Sequence, residues 1–479
     1  MEEILQYIDT PVFHTVGDAA DESGYPCYAV GGYVRDLFLH RPSKDIDFVS
    51  VGPGSGIEIA RSVARRLGRG SHVSVFRTYG TAQVKSGELE LEFVATRRES
   101  YSRESRNPIV TEGTLEDDIA RRDFTINAMA ICVNAEGFGT LVDRYDGLTD
   151  LRRGIIRTPL DPDITFSDDP LRMMRAIRFA TQLQFEISPD TLAAITRNAD
   201  RIEIITRERI STELNKIMMS PHPSVGWRLM MQTGLLRHIL PELHAMKGVE
   251  VINGRGHKDN FSHTLTVLDS VAEKSDNLWL RWAALLHDIA KPVTKKWDEK
   301  AGWTFHNHNF IGSKMVPRIF RSLKMPLGEP MRYVCKLVEL HMRPIALVED
   351  TVTDSAVRRL ITDAGDDLQD LMTLCRADIT SRNAEKVRRH LENFDAVLRK
   401  IDDVTERDHL RNFAPPIDGA EIMATFGLPP SQPVGVIKTA IKDAVLDGVI
   451  PNEHQAAYEY MLRIGAEMGL TVCTTSQNE

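Results

Sequence analysis

The sequence lacks any excess of basic residues. Its 479 residues include 59 Lys and Arg against 68 Asp and Glu, which gives a formal net charge of −9 at neutral pH. This balance excludes a protein that coats nucleic acid through an overall positive charge, but it leaves room for a local basic groove. Most of the net negative charge comes from residues 401–479, which hold 5 basic and 12 acidic residues.

Long apolar runs and paired cysteines are also missing. No stretch approaches the roughly 18–20 apolar residues of a membrane-spanning helix, and the first ten residues, MEEILQYIDT, lack the basic-then-apolar order of a secretory signal. The five cysteines are scattered without a CxxC motif, which argues against a disulfide framework and against a thiolate zinc site. These absences predict a cytoplasmic protein without a membrane partner.

The order of strand-like and helix-like segments predicts an α+β fold. The first third alternates short apolar runs such as CYAVGG, DIDFVSVG and LELEFVAT with helical segments, which is typical of a mixed β-sheet with packed helices. From about residue 165 the strand signal fades and apolar residues recur at helical spacing. We therefore expect an α/β head at residues 1–145 and all-helical regions at residues 146–245, 246–400 and 401–479.

A glycine pair precedes a pair of carboxylates in the head. Gly31 and Gly32 join a strand-like run to a helix-like run, and such a turn lets the backbone approach a phosphate. Asp45 and Asp47 follow in the run KDIDF, and residues i and i+2 of a strand face the same way. Two such carboxylates repel unless a cation joins them, and Mg²⁺ suits an oxygen site that also holds phosphates. A solvated strand face explains the DxD motif alone, but the glycine turn favours magnesium.

A third carboxylate is expected from the run LELEF. Glu90 and Glu92 alternate with apolar residues, so they share one strand face. We prefer Glu92 as the additional catalytic acid, and an exposed strand face is the alternative. Two Mg²⁺ ions on the aspartates would activate a hydroxyl and neutralise a triphosphate during in-line attack.

Together with four others, the glycine and DxD motifs form a set of six that occur in a fixed order. They are GGYVRD, KDIDF, EDDIARRDFTINAMA, DRYDGLTDL, SDDPLRMMRAIRFA and RERISTELNKIM, spread over about 190 residues. In this order they resemble the motifs of the class II tRNA nucleotidyltransferase and bacterial poly(A) polymerase superfamily. The segment PPIDGAEIMATFGLPPSQPVGVIKTAIKDAVLDG resembles the tail of bacterial CCA-adding enzymes, so the resemblance covers nearly the whole chain.

The resemblance implies a role for each matching residue. Asp45 and Asp47 would bind the catalytic Mg²⁺ ions, and Asp146-Gly147 would belong to the hinge between head and neck. The residues expected against the incoming nucleotide are Gly31, Gly32, Arg35, Arg121, Arg122, Asp123, Asp169, Arg172, Arg175 and Arg178.

Within this set, Asp169 and Arg172 match the pair that reads the base edge of CTP or ATP. Residues i and i+3 are neighbours on a helix, so an acceptor carboxylate and an arginine fork together match a cytosine or adenine edge. Alternatively, Asp169-Pro170 is a helix N-cap followed by proline at the first helical position. The superfamily usually has Glu-Asp where this chain has Asp168-Asp169, a change from which we expect little effect.

A second set of metal-ligating residue types lies in the helical half and resembles the HD phosphohydrolase superfamily. The candidate ligands are His263, His287, Asp288, His308, His341 and Asp378. Imidazole and carboxylate ligands suit Mn, Fe, Ni or Co, and such a metal would activate water to attack a phosphoester. Each histidine alone is more often a surface or helix-end residue, and His306 and His257 are alternatives to His308.

Arginines that suit RNA phosphates gather in the neck and in residues 97–113, which we expect to be a loop. A solvated, salt-bridged helix face is the alternative. Gly435, at an expected helix start in the tail, is a further candidate phosphate contact. The arginines are Arg97, Arg98, Arg103, Arg106, Arg152, Arg153, Arg157, Arg172, Arg175, Arg178, Arg197, Arg201, Arg207 and Arg209.

The resemblance implies CCA addition to tRNA 3′ ends from CTP and ATP, with a nucleotidyltransferase head, a neck, an HD body and a tail that binds tRNA. One alternative is a poly(A) polymerase, against which the chain shows no long basic C-terminal extension. Another is a regulatory sensor that modifies a signalling protein, but residues 401–479 have helical spacing and not the alternating strands of ligand-binding modules. CC-only or A-only addition, the HD metal and substrate, and the oligomeric state stay open.

Overall fold

The computed structural model contains two compact units. The first comprises Met1–Ala245 with Ser322–Met325, and the second comprises Met246–Arg321 with Pro326–Glu479. The division falls between residues 245 and 246, where the sequence suggests a boundary; the boundaries at residues 145 and 400 remain predictions. The structure describes residues 2–76, 80–102, 105–253, 255–256, 259–349, 353–380, 384–408 and 416–473.

Strands and helices alternate through the first part of the first unit. The strands are β1 Cys27–Val30, β2 Asp45–Ser50, β3 Ser71–Phe76, β4 Thr81–Ser86, β5 Leu89–Ala95, β6 Arg97–Ser102, β7 Ser105–Glu112, β8 Met129–Cys132 and β9 Leu141–Asp143. The helices are α1 Glu2–Ile8, α2 Pro11–Ser23, α3 Gly32–Phe38, α4 Ser55–Leu67 and α5 Leu115–Ala120, with a 3₁₀ turn at Thr125–Asn127.

Seven of these strands form one sheet in the order β3-β4-β5-β2-β1-β8-β9. Strands β2 and β5 are parallel and the other neighbours are antiparallel, which confirms the predicted mixed sheet. Side chains alternate between the two faces. Ile46 and Phe48 are buried, the Phe48 ring contacts Phe13 of α2, and α4 packs against α2, β4 and β5. The opposite face therefore carries Asp45 and Asp47.

Residues 97–113 contain a hairpin where the sequence predicts a loop. Strands β6 and β7 pair antiparallel, with Arg97 opposite Glu112. The segment has few apolar residues to anchor it, but pairing of the two strands satisfies the backbone N–H and C=O groups that face each other without such anchors. Arg103, one of the arginines assigned to this segment, lies outside the described residues.

The rest of the first unit is mostly helical. Its helices are α6 Gly147–Arg153, α7 Pro162–Asp168, α8 Leu171–Leu183, α9 Pro189–Arg197, α10 Arg207–Met218, α11 Ser224–Thr233, α12 Leu235–Ile239 and α13 Pro241–His244, with a 3₁₀ turn at Ala199–Ile204. Two short parallel strands, β10 Ile155–Ile156 and β11 Glu186–Ile187, interrupt them. The expectation of an all-helical region is wrong at these strands, because two residues are too few to give a strand signal in the sequence.

The second unit is likewise helical apart from two small hairpins. Its helices are α14 Asn260–Ala272, α15 Leu278–Leu286, α16 Lys291–Thr294, α17 His308–Ser322, α18 Glu329–Leu340, α19 Met342–Glu349, α20 Asp354–Ala364, α21 Leu368–Asp378, α22 Ala384–Asp408, α23 Gly419–Phe426, α24 Gln432–Leu446 and α25 His454–Glu467, with a 3₁₀ turn at Gly365–Asp367. The hairpins pair β12 Val251–Ile252 with β13 Arg255–Gly256, and β14 Lys296–Asp298 with β15 Gly302–Thr304.

The tail has its own apolar core. Ile422 of α23, Ile437 of α24 and Met461 of α25 are fully buried in one cluster. Gly435 lies in the first turn of α24, near the helix start that the sequence predicts. Within the described ranges, no helix combines the length and the apolar character needed to cross a bilayer.

Candidate active site

A cavity of about 560 Å³ collects most of the predicted head residues. Gln83, Asn127, Phe179 and Lys216 also line it and were not predicted. Arg121, Asp169 and Arg172 were predicted against the nucleotide but are not among its lining residues. The predicted residues that line it are Gly31, Gly32, Arg35, Asp45, Asp47, Glu92, Arg122, Asp123, Arg175 and Arg178, together with the alternative acid Glu90.

The carboxylates meet because β2 and β5 run parallel and in register. Asp45 is opposite Glu90, and Asp47 is opposite Glu92. Burial, followed by the neighbouring Asp45, raises the pKa of Asp47, although Arg122 opposes the shift. Burial and then Asp47 likewise raise the pKa of Glu92. A divalent cation would relieve this repulsion, and the all-oxygen donor set fits Mg²⁺. Glu90 instead bonds Lys85, at 2.5 Å, and Gln83, which favours Glu92 as the third acid.

The predicted glycine turn lies next to the carboxylate of Asp47. Gly31 has φ +75°, a left-handed conformation that favours glycine. A Cβ there would lie 3.0 Å from Nη1 of Arg122 and 3.4 Å from Oδ2 of Asp47. The glycine therefore lets the backbone come close to both the carboxylate and the guanidinium that line the cavity.

Phe179 of α8 packs against three arginines, Arg35, Arg175 and Arg178, which form the arginine wall of the cavity. Its ring lies 4.9 Å from the guanidinium carbon of Arg35, 5.4 Å from that of Arg175 and 4.1 Å from that of Arg178. A buried ring face attracts cations and restricts their orientation. The sequence does contain a signal for this arrangement, because Phe179 follows Arg175 by four residues on one helix.

Buried carboxylates hold two of these arginines in place. Arg175 lies 2.6 Å from Oδ2 of Asp123, and Arg178 lies 2.6 Å from Oε2 of Glu213. Burial by itself would raise the pKa of Asp123, but Arg175 and a hydrogen bond from Asn127 lower it to about 2. The Asp123 carboxylate is therefore ionised at neutral pH beside Arg175, and the arginine forks suit a polyphosphate.

Asp169 and Arg172, the predicted base-reading pair, form hydrogen bonds with backbone groups of the protein. Oδ1 of Asp169 accepts from the N–H of Leu171 at 3.1 Å, the capping role that the sequence left open, although α8 begins at Leu171 and Pro170 is the residue before it. Arg172 donates to the carbonyl of Arg121 at 2.7 Å. Arg121 itself lies 2.5 Å from Asp118. Their role in base reading stays a prediction.

Asp146 and Gly147, predicted to belong to a hinge, form a tight turn at the start of α6. Asp146 has φ 57°, and a Cβ on Gly147 would lie 2.3 Å from the carbonyl oxygen of Thr125. Only glycine fits at this distance from the backbone. The structure thus shows a constrained turn, and hinge motion stays a prediction.

The second unit brings all six predicted HD residues together. His263, His287 and Asp378 form one group of potential ligand atoms within 4.8 Å of one another, and Asp288, His308 and His341 form another. Asp288 lies between the groups. Its Oδ2 is 3.2 Å from Nε2 of His287, and its Oδ1 is 3.3 Å from Nε2 of His308. The geometry suits two cations that share the Asp288 carboxylate.

Three of the histidines are oriented by backbone carbonyls close to them in the chain. The Nδ1–H groups of His287, His308 and His341 donate to carbonyls three residues earlier, at 2.7–2.8 Å. Their buried Nε2 atoms make no hydrogen bond to any described residue. A protonated Nδ1 leaves the Nε2 lone pair free for a metal, so these three imidazoles fit a metal centre.

The charge of the cluster also fits a cation. Burial lowers the pKa of His341 to about 4, so this ring is neutral at neutral pH. Burial would lower the pKa of His287 too, but Asp288 and Asp378 raise it to about 10. A metal ion would replace that proton. His306, the alternative to His308, lines the adjoining cavity of about 600 Å³ but belongs to neither group; His257 lies outside the described residues.

Most described neck arginines have protein partners, as the salt-bridged alternative requires. Arg157 lies 2.9 Å from Asp150, and Arg197 lies 2.6 Å from Asp163. Arg207 donates to the carbonyl of His238 at 3.2 Å. RNA binding by individual arginines therefore stays a prediction.

Three family models match consecutive parts of the chain. The poly(A) polymerase head domain matches residues 27–157, the model described as "probable RNA and SrmB-binding site of polymerase A" matches residues 184–247, and the HD domain matches residues 260–383.

Curated relatives match over most of the chain. An A-adding tRNA nucleotidyltransferase of Deinococcus radiodurans is 32% identical over 89% of this chain and 93% of its own. A CC-adding tRNA nucleotidyltransferase of Thermus thermophilus is 30% identical over 94% and 95%. A multifunctional CCA protein of Pseudomonas paraeruginosa is 33% identical over 67% and 78%.

Solved structures of CCA-adding enzymes and tRNA nucleotidyltransferases have a similar fold. A CCA-adding enzyme of Bacillus stearothermophilus in complex with CTP matches the fold with a TM-score of 0.64 at 23% identity, over 96% of this chain and 99% of its own. A tRNA nucleotidyltransferase complexed with a primer tRNA and an ATP analogue matches with a TM-score of 0.56 at 26% identity, over 80% and 99%. With its head, RNA-binding and HD segments in the same order, the chain belongs to the tRNA nucleotidyltransferase family.

Proposed function

We propose that this enzyme adds CCA to tRNA 3′ ends from CTP and ATP without a nucleic-acid template. The observation that carries the proposal is the meeting of Asp45, Asp47 and Glu92 with an arginine wall in one cavity. Family membership supports the nucleotide and tRNA substrates. Free cysteines at all five positions are in keeping with action in the reducing cytoplasm.

The residues divide the work of nucleotidyl transfer. Asp45, Asp47 and Glu92 would hold Mg²⁺, which when bound activates the tRNA 3′-hydroxyl and neutralises charge on the triphosphate. Arg122 and the arginines around Phe179 bind the triphosphate and orient its α-phosphate for in-line attack. The 3′-hydroxyl oxygen forms the new bond to the α-phosphorus, and pyrophosphate leaves.

A panel of three acceptors tests the proposal and separates it from its alternatives. Purified enzyme receives tRNA ending at the discriminator base, at C or at CC, with CTP and ATP singly and together. We expect C, C and A to be added in order and addition then to stop. Addition of A alone, or of CC alone, would reassign the chain to partial activity. A long A ladder would indicate a poly(A) polymerase, and transfer only to protein would indicate the sensor.

Base choice is proposed to depend on Asp169 and Arg172. In this role Arg172 must exchange its bond to the Arg121 carbonyl for one to the base edge. Replacement Arg172→Ala should raise misincorporation at the final position by about 10- to 100-fold, the worth of a bidentate contact. Arg172→Lys keeps the charge without the fork, so it should restore turnover more than fidelity. Unchanged fidelity in both variants would remove this pair from base reading.

We also propose that the HD cluster hydrolyses a phosphomonoester or a 2′,3′-cyclic phosphate at an RNA end. Asp288 belongs to one group of potential ligands and lies 3.2 Å from His287 of the other, which supports a site for two Mn, Fe, Ni or Co ions. Asp288→Asn should reduce both bound metal and hydrolysis without changing CCA addition, and exposed Asp366→Asn is the matched control. Bound metal without hydrolysis of either substrate would contradict the hydrolase proposal.

A further inference from the structure

The outer edge of the catalytic sheet is unprotected. Strand β3 is the terminal strand of the seven, and its sequence, SHVSVF, contains no Lys, Arg, Asp, Glu or Pro. Val73 is 37% exposed and Phe76 is 49% exposed. Native edge strands usually carry charges, prolines or a covering element, because free N–H and C=O groups attract another strand. Among the described residues, no strand pairs with this edge of β3.

A basic groove lies beside this edge. A cavity of about 1,090 Å³ runs between α4 and β3, and its charged lining residues are three basic ones, Arg61, Arg65 and Arg69, and one acidic one, Glu58. All three arginines are exposed, and none has a carboxylate within ion-pair distance in the described part of the chain. Arg66 shows the contrast, since it lies 2.7 Å from Glu22 on another side of the same helix. We call this surface, formed by Arg61, Arg65, Arg69 and strand β3, the α4–β3 groove.

The groove is separate from the nucleotide cavity. Helix α4 packs on the face of the sheet where Phe48 is buried against α2. Asp45 and Asp47 belong to the other face and line the other cavity. The three arginines are therefore not needed to bind the incoming nucleotide.

The spacing and the charge of the arginines indicate what binds in the α4–β3 groove. Residues four apart on a helix are about 6 Å apart along its axis, and alternate residues of a strand are about 6.8 Å apart. An added strand with acidic side chains at alternate positions would thus place successive carboxylates near Arg61 and Arg65, which lie one turn apart on α4, and Arg69 follows shortly after the helix end at Leu67. RNA phosphates accept hydrogen bonds from arginines, whereas a protein strand also offers a regular row of backbone N–H groups to the β3 carbonyls. A second copy pairing through β3 would bring arginines against arginines.

We propose that the α4–β3 groove docks an extended, acidic segment of a partner protein by strand addition. The backbone of that segment pairs with β3, and its acidic side chains contact the arginine row. This surface would connect the enzyme to another protein while leaving the nucleotide cavity accessible.

The test uses three fluorescent probes on the full chain: a peptide of alternating Glu and Val, the same peptide with Lys for Glu, and a short uridine RNA. We expect only the Glu–Val peptide to bind in fluorescence anisotropy, and to slow hydrogen exchange of β3 amides. The double variant Arg61→Glu/Arg65→Glu should weaken binding at least tenfold without changing nucleotide addition. Exposed Arg399→Glu, in the second unit, is the matched control.

Several results would overturn the proposal. These are no binding of the Glu–Val peptide, equal binding of the Lys–Val peptide, or equal loss of affinity in Arg399→Glu. Tighter binding of the uridine RNA that depends on Arg61 and Arg65 would assign the groove to RNA. Concentration-dependent self-association that protects β3 amides would assign it to a second copy.

Discussion

In the first unit the candidate metal ligands line an open cavity beside arginines, whereas in the second unit they form a buried network of imidazoles and carboxylates. Burial and mutual repulsion raise the pKa of Asp47 and Glu92, so the first site gains from a cation that arrives with its substrate. In the second site Asp288 is 2% exposed and has its pKa lowered well below the usual range despite burial, because His287 and Lys291 neutralise it. We therefore expect an exchangeable metal ion at the first site and a retained one at the second.

The strongest test of this comparison is Asp45→Ala. Loss of a metal ligand should remove several kcal/mol of transition-state stabilisation, about a thousandfold in nucleotide addition. Transition metal bound to the second unit, measured by mass spectrometry, should not change. The exposed Asp190→Ala is the control for both readouts. Loss of bound transition metal in Asp45→Ala would show that the two sites are not independent.

The next test concerns the charge that supports the arginine wall. Folding lowers the pKa of Asp123 from 3.8 to about 2, which corresponds to about 2 kcal/mol of stability. This contribution is present above pH 3.8 and is lost as pH falls through about 2. Asp123→Asn should therefore lower the stability of the first unit at pH 7 and at pH 5 alike, and progressively less below about pH 4.

Hydrogen exchange of β1 and β8 amides measures this stability within the first unit. Asp163→Asn, whose partner Arg197 is exposed, is the control and should change exchange little. A loss of protection in Asp123→Asn that grows as the pH falls would contradict the ion-pair account.

A third test asks how firmly the second site is preorganised. Nδ1 of His263 lies 2.9 Å from the hydroxyl of Thr380, and removal of such an orienting contact typically costs 10–100-fold in metal affinity. Thr380→Val should therefore weaken Mn²⁺ or Co²⁺ binding by about that factor in a chelator competition assay. Thr373→Val removes a hydroxyl that bonds only a helix carbonyl, and it should leave affinity unchanged. Equal metal affinities in the unchanged protein, Thr380→Val and Thr373→Val would show that Thr380 does not orient His263.

The smallest expected effect sharpens the description of the first site. Phe179→Leu removes the ring that three guanidiniums share, which should cost about 1.4 kcal/mol, or tenfold, in the KM for CTP and ATP. The kcat should change less, since the carboxylates proposed to hold Mg²⁺ stay in place. Phe179→Trp keeps an aromatic face and should restore much of the KM. An equal loss in kcat with no change in KM would point to a general structural defect.

How much of this could be predicted from the sequence differs between the sites. The DxD pair and the two candidate acids Glu90 and Glu92 followed from the two-residue period of strands, and the parallel register of β2 and β5 then places Asp47 opposite Glu92. The six candidate HD ligands followed from the resemblance of their order in the chain to that of the HD superfamily. Their division into two groups around Asp288 did not, because it depends on how separate helices pack.

Other features were missed for reasons of residue type and context. Gln83, Asn127 and Lys216 are ordinary polar residues whose positions in the cavity come from tertiary packing alone. Asp169 and Arg172 have the spacing that base reading needs, but in the structure neighbouring backbone groups occupy them. Spacing on a helix predicts which residues are neighbours and not which partner each one chooses.

The three imidazoles that bond to carbonyls three residues earlier have a consequence for how this chain can vary. Their orientation is set by main-chain atoms at Ala284, Phe305 and Val338, which every amino acid carries. Substitutions at those positions leave the orienting acceptor in place, whereas His263 depends on the side chain of Thr380. As the sequence around the second site varies, we therefore expect the orientation of His263 to be lost first. The orientation of the other three histidines should be kept longest.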